Sequence, residues 1–116
     1  MQAEGQHIVE KGWGHEVWLV NNEFYCAKLL TFRRGKKCSY HYHKNKTETF
    51  IIQKGMCTIK HGYGDIHSEE IILKKGDSFH IPKGMRHQVT AIEKTIILEI
   101  STHHEDTDSY RLHNGD

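Results

Sequence analysis

Short apolar runs broken every few residues by glycine or asparagine govern what this chain can fold into: "HEVWLV", "FYCAKLLTF", "TETFIIQ", "MCTIKH", "SEEIILKK", "SFHIP", "HQVTAI" and "TIILEI". They are rich in β-branched and aromatic residues, which suit a pleated surface. Asn21-Asn22, Gly35, Gly55, Gly62, Gly64, Gly76 and Gly84 supply turns between them. No window of helical length carries an apolar stripe capped at both ends. Even "AIEKTIILEI", the most ambiguous stretch, is weighted toward strand by its isoleucines and a threonine. So many short strands in 116 residues predict one all-β domain over 1–116, a sandwich or barrel closed to limit exposed edges.

Charge and cysteine usage narrow the setting. Sixteen Lys+Arg against fifteen Asp+Glu leave a formal charge of +1. That balance offers no general field for nucleic acid or a membrane, although a specific basic contact to a small anion stays open. No apolar run approaches a membrane span, and "MQAEGQHIVEKGWGHE" has no basic-then-apolar leader. Cys26, Cys38 and Cys57 are odd in number, form no C-x-x-C pair and sit in no nucleophile motif. The expectation is a reduced, cytoplasmic protein with no nucleic-acid or membrane partner.

Histidine is the outlier, with 11 copies. In "SYHYHKNKTETFIIQKG", His41 and His43 are two apart and point to one face of a strand. "KNKT" is a plausible turn that returns the chain antiparallel and sets Glu48 opposite them. Two imidazoles and a carboxylate are a typical set for a divalent transition metal. A lone H-x-H is more often a solvated strand face. The stretch "GDSFHIPKGMRHQVT" weakens that alternative: Pro82, the chain's only proline, and Gly84 mark a fixed turn before His87, which can supply a ligand from a separate strand.

These two stretches resemble the cupin motifs. G-x5-H-x-H-x4-E-x6-G is met by Gly35, His41, His43, Glu48 and Gly55. G-x5-P-x-G-x2-H-x3-N is met by Gly76, Pro82, Gly84 and His87, with Ala91 in place of the asparagine. The resemblance implies a double-stranded β-helix (jelly-roll) barrel, its core about 10–102 and a polar tail at 103–116. It also implies one divalent metal, Zn, Mn, Fe, Ni or Cu, held by His41, His43, Glu48 and His87. A looser likeness is to the cupin domain of type II mannose-6-phosphate isomerases, carried by "KGWGHEVWLV", "IPKGMRHQV" and "LEISTHHEDTDSYRL". Here His41 and Lys46 replace a glutamine and an arginine common there, and "RLHNGD" replaces the isomerases' D-x-Y-G-R.

The implied activity is a metal-dependent aldose–ketose isomerisation of a sugar or sugar phosphate. The alternatives are an Fe(II)-dependent dioxygenase and a non-catalytic sugar-binding or regulatory cupin. His80, which alternates with Phe79 and Ile81, and Lys46 are the candidate bases. Arg86, Lys83 and Arg111 are candidate contacts to an anionic substrate. Trp13 and Trp18 are expected in the core or at a subunit contact, and His103 and His104 are not assigned as ligands. Small cupins often pair, which implies a homodimer through "HEVWLV" and "FYCAKLLTF".

Overall fold

Alternation in the sequence becomes alternation in burial along each strand. The computed structural model describes residues 7–64 and 67–116. Its strands are β1 (His7–Lys11), β2 (Gly14–Asn21), β3 (Cys26–Phe32), β4 (Tyr40–Tyr42), β5 (Glu48–Lys54), β6 (Met56–Gly62), β7 (Glu69–Lys74), β8 (Ser78–Ile81), β9 (Arg86–Ala91), β10 (Thr95–Ser101) and β11 (Tyr110–His113). Among the described residues the one helical element is a 3-10 turn at Asp106–Asp108. None is a helix long and apolar enough to cross a membrane.

Two antiparallel sheets face each other in a jelly roll. One has the order β1-β2-β3-β10-β5-β8 and the other β11-β4-β9-β6-β7. No ladder among the described residues joins one sheet to the other. The expected closure is therefore a matter of facing surfaces, because side-chain burial between the sheets, not edge pairing, holds them together. The strands β1 and β11 were not foreseen: their short, polar stretches carry little apolar signal. β11 pairs with β4, setting Arg111 opposite His41. Asp116 then exchanges hydrogen bonds with Lys37, its backbone N–H donating to the Lys37 carbonyl and its carboxylate accepting from the Lys37 N–H, each at 2.9 Å. The 103–116 segment thus completes an edge of the second sheet.

The inward rows are apolar at one end and polar at the other. Leu30, Ile97 and Ile52 stand opposite one another across β3, β10 and β5. Phe32, Phe50, Ile59, Ile81 and Val89 fill the same core, and Trp13 stacks on Phe32 with ring centroids 4.0 Å apart. Truncating Ile97, which is fully buried, to alanine would cost about 2–5 kcal/mol. The β5–β6 turn requires Gly55: its φ of 89° is left-handed, and a Cβ there would strike the Lys94 carbonyl. Further along the same strands the inward positions become Lys28, Glu99, Ser101, Glu48 and His87, which concentrates charge at one end of the barrel.

The outer face of the six-stranded sheet is different. Ile8, Val17, Leu29, Leu98 and Ile51 form one register row across β1, β2, β3, β10 and β5. Ile8 is 56 % exposed, and Ile100 beside the row is 48 % exposed.

Candidate metal centre

Two strands of the second sheet position the histidines. His41 lies on β4 directly opposite His87 on β9, their ring centroids 4.4 Å apart. His43 follows β4, with centroids 5.0 Å from His41 and 5.6 Å from His87. The turn after it does not return the chain to pair with β4, as the sequence suggested. It carries the chain across to the other sheet, so Glu48 at the start of β5 approaches from the opposite wall. Asp108, buried in the 3-10 turn, makes that crossing tight. Its carboxylate accepts the N–H groups of Lys44 (2.9 Å), Asn45 (3.1 Å) and Lys46 (3.2 Å).

Each imidazole is oriented by its far nitrogen. Nδ1 of His41 donates to the Ser39 carbonyl (2.9 Å), that of His43 to the Asp108 carbonyl (2.9 Å) and that of His87 to the Met85 carbonyl (3.0 Å). A carbonyl only accepts, so the proton sits on Nδ1 and each Nε2 of a neutral ring presents a lone pair. Burial, reinforced by His87 and His43, holds His41 well below the usual imidazole range, which keeps it neutral. The ligand atoms of the three histidines lie within 4.8 Å of one another. Glu48 Oε2 lies 3.3 Å from His43 Nε2 and 3.2 Å from His87 Nε2. Glu48 Oε2 and His87 Nε2 are buried with no hydrogen-bond partner. Unsatisfied buried acceptors converging on one point are what a divalent cation resolves, so these residues fit the implied metal.

Lys46 backs the carboxylate. Its Nζ lies 3.6 Å from Glu48 Oε1, donates to Glu99 Oε2 at 3.1 Å and to His104 Nδ1 at 2.9 Å. Ser101 Oγ donates to the same Glu99 oxygen at 2.9 Å. Burial would raise the Glu48 carboxyl, but the Lys46 ammonium, with His43 and His87 beside it, takes it well below the carboxylate range. The opposite balance holds for Lys46: burial lowers it, and Glu48 and Glu99 outweigh that and raise it. Lys46 therefore remains an ammonium and is not a base. His104 donates from Nε2 to Asp106 at 2.8 Å. Burial and the cations Lys46 and Lys28 bring it down to about 4, so it is a neutral imidazole.

A cavity of about 780 Å³ opens over this centre, its wall including Lys28, Trp18, Glu16, Glu99, His104 and Arg111 as well as the histidines and Glu48. Several sequence expectations change here. His80 is exposed on β8, opposite Thr49, because the core takes Phe79 and Ile81 and leaves the intervening residue outside. Lys83 is exposed in the turn before β9 and is not on the cavity wall. Arg86 lies outside it too, its guanidinium 3.7 Å over the Tyr42 ring and donating to the Gly84 carbonyl at 2.8 Å. Arg111 does reach the mouth, and Trp18 lines the cavity instead of joining the core, while Trp13 is core as expected. Cys38 and Cys57 are buried free thiols, and burial pushes them up to about 12 and about 11.

Lys28, Glu99, His104 and Asp108 were missed. Lys28 and Glu99 had a readable signal, since each is a charge in phase with inward apolar residues, as in "CAKLLTF" and "TIILEIS". Asp108 had none, because the loop it pins is about 60 residues away in the chain.

The cupin domain family matches residues 28–101. No curated protein matches the chain. Among solved structures, the capsular polysaccharide assembling protein CapF from Staphylococcus aureus superposes with a TM-score of 0.84 at 16% identity, over 96% of this chain and 32% of that one. Oxalate decarboxylase from Bacillus subtilis gives 0.81 at 20% identity, over 92% of this chain and 30% of that one. The chain thus spans about a third of the length of these structures, and at these identities the likeness is one of fold.

Proposed function

This chain is a cupin, and on that premise we propose that it is a metal-dependent aldose–ketose isomerase acting on a sugar or sugar phosphate. The observation that carries the reading is the set of three Nε2 lone pairs and the unpartnered Glu48 Oε2 at the floor of a cavity large enough for such a molecule. When bound, the ion supplies a Lewis acid to adjacent sugar oxygens as charge develops between C1 and C2. His41, His43, Glu48 and His87 would hold it. Lys46, held as an ammonium, orients Glu48 and is the proton donor nearest the centre. His104, on the cavity wall, has both ring nitrogens engaged, Nδ1 accepting from Lys46 and Nε2 donating to Asp106, so it holds Lys46 in position. Incubation with mannose 6-phosphate and other sugars in D2O, with the C2 proton followed by NMR, tests this. Exchange that vanishes in Glu48→Gln and His87→Ala supports isomerisation. No exchange with any of Zn, Mn, Fe, Ni or Cu defeats it.

A binding module is the second reading. It is favoured by the loss of both nominated bases, His80 to the outer face and Lys46 to its carboxylate partners. Ligand-induced stabilisation without turnover would identify it.

We also propose that two copies associate through the outer face of the six-stranded sheet. The apolar row Ile8, Val17, Leu29, Leu98 and Ile51 supports a self-complementary contact.

A further inference from the structure

Lys28 is a charged residue in an inward position, between Cys26 and Leu30 in the alternation of β3, and only 2 % of its surface is exposed. Its ammonium lies 4.1 Å over the Trp18 ring and 3.8 Å from Glu16 Oε1. It makes no hydrogen bond among the described residues, although it can donate three. The contrast with Lys46 is direct: that ammonium hydrogen-bonds both Glu99 and His104. Trp18 Nε1 donates to Glu16 at 2.9 Å, so the carboxylate and the ring beneath Lys28 are both fixed in place. Lys28 lines the same cavity as the histidines. Its donors therefore face the cavity, where a ligand can meet them.

Charge points to what meets those donors. The fully buried charges on the cavity wall, Lys28 and Lys46 against Glu48 and Glu99, cancel one another. A divalent ion on the histidines would leave this buried interior net positive, which an anionic group on the ligand offsets. The registers set Lys28 opposite Glu99 and Glu48 opposite Ser101, on either side of β10. The two lie two strand spacings apart, about 10 Å across the sheet.

We propose that Lys28, held over Trp18, anchors the anionic group, phosphate or carboxylate, of a small ligand whose other end reaches the metal centre. The proposal rests on the metal reading above for its charge balance and deepens it by placing the ligand's anion.

Calorimetric titration of the metal-loaded protein tests it with four probes: mannose 6-phosphate, inorganic phosphate, malonate and neutral mannose. The anions are expected to bind, and Lys28→Met to weaken them at least tenfold while leaving mannose unchanged. Lys28→Arg is expected to restore binding to within a few-fold. Whichever of the phosphates or malonate binds more tightly identifies the group. Unchanged anion affinity in Lys28→Met puts the anion on the metal alone and overturns the proposal, as does a wild-type protein that binds no anion. A thermal melt of Lys28→Met checks folding, and should that variant fail to fold, Lys28→Gln takes its place. Deuterium exchange is a separate readout. Anion binding that depends on Lys28 without any exchange retires the isomerase and keeps the anchor; exchange with no effect of Lys28 does the reverse.

Discussion

Glu48 Oε2 and His87 Nε2 face each other across 3.2 Å in the barrel interior, and neither has a hydrogen-bond partner. Two acceptors so placed gain when a cation lies between them. Adding a divalent transition metal to chelator-treated protein should raise its melting temperature, by the equivalent of about 2.7 kcal/mol at a hundredfold excess over Kd. Glu48→Gln and His87→Ala should each lose most of that gain. Identical melts with and without metal would sink the metal centre.

Removing Lys46 leaves Glu48 and Glu99 buried without their shared cation. Lys46→Met should therefore destabilise the metal-free protein by about 3–5 kcal/mol in urea titrations. Adding Glu99→Gln to that variant should recover part of the loss, since the two changes touch one network. Additive losses would show that the residues are not coupled.

Acid should destabilise the fold in a defined window. His104 is lowered to about 4, and His41 lies well below 6.5, so in both cases the folded state binds protons less readily than the unfolded chain. Their contribution is whole above about 6.5 and declines as pH falls toward the folded values. Melting temperatures measured between pH 7 and 4 should fall steadily, and the His104→Gln variant should show a shallower slope. A flat profile would contradict the buried, neutral state of these rings.

The apolar row across the outer sheet sets a test of assembly. Light scattering on the wild type should give twice the mass of one chain, and Leu29→Asp with Leu98→Asp should give one. Both positions lie on the face away from the cavity, so metal uptake should be unchanged in the variant. A wild type that stays monomeric at micromolar concentration would end the proposal.

Local spacing in the sequence was enough to specify the strands with an apolar period and the turns between them, though not the polar β1 and β11, because a two-residue period and a glycine at a left-handed turn are properties of adjacent residues. It was enough, too, to single out His41, His43, Glu48 and His87, whose chemistry shows in their side chains. What it left open was the sheet each strand would join. A turn after His43 is compatible with a hairpin or a crossing, and only the packing of the two faces selected the crossing that brings Glu48 to the histidines from the opposite wall. The same packing turned His80 outward, since β8 has two sides and Phe79 and Ile81 gain more from the core. Lys46, Glu99, His104 and Asp108 are joined by contacts between residues dozens of positions apart. Such contacts depend on how the sheets fold over one another, and no local pattern encodes them.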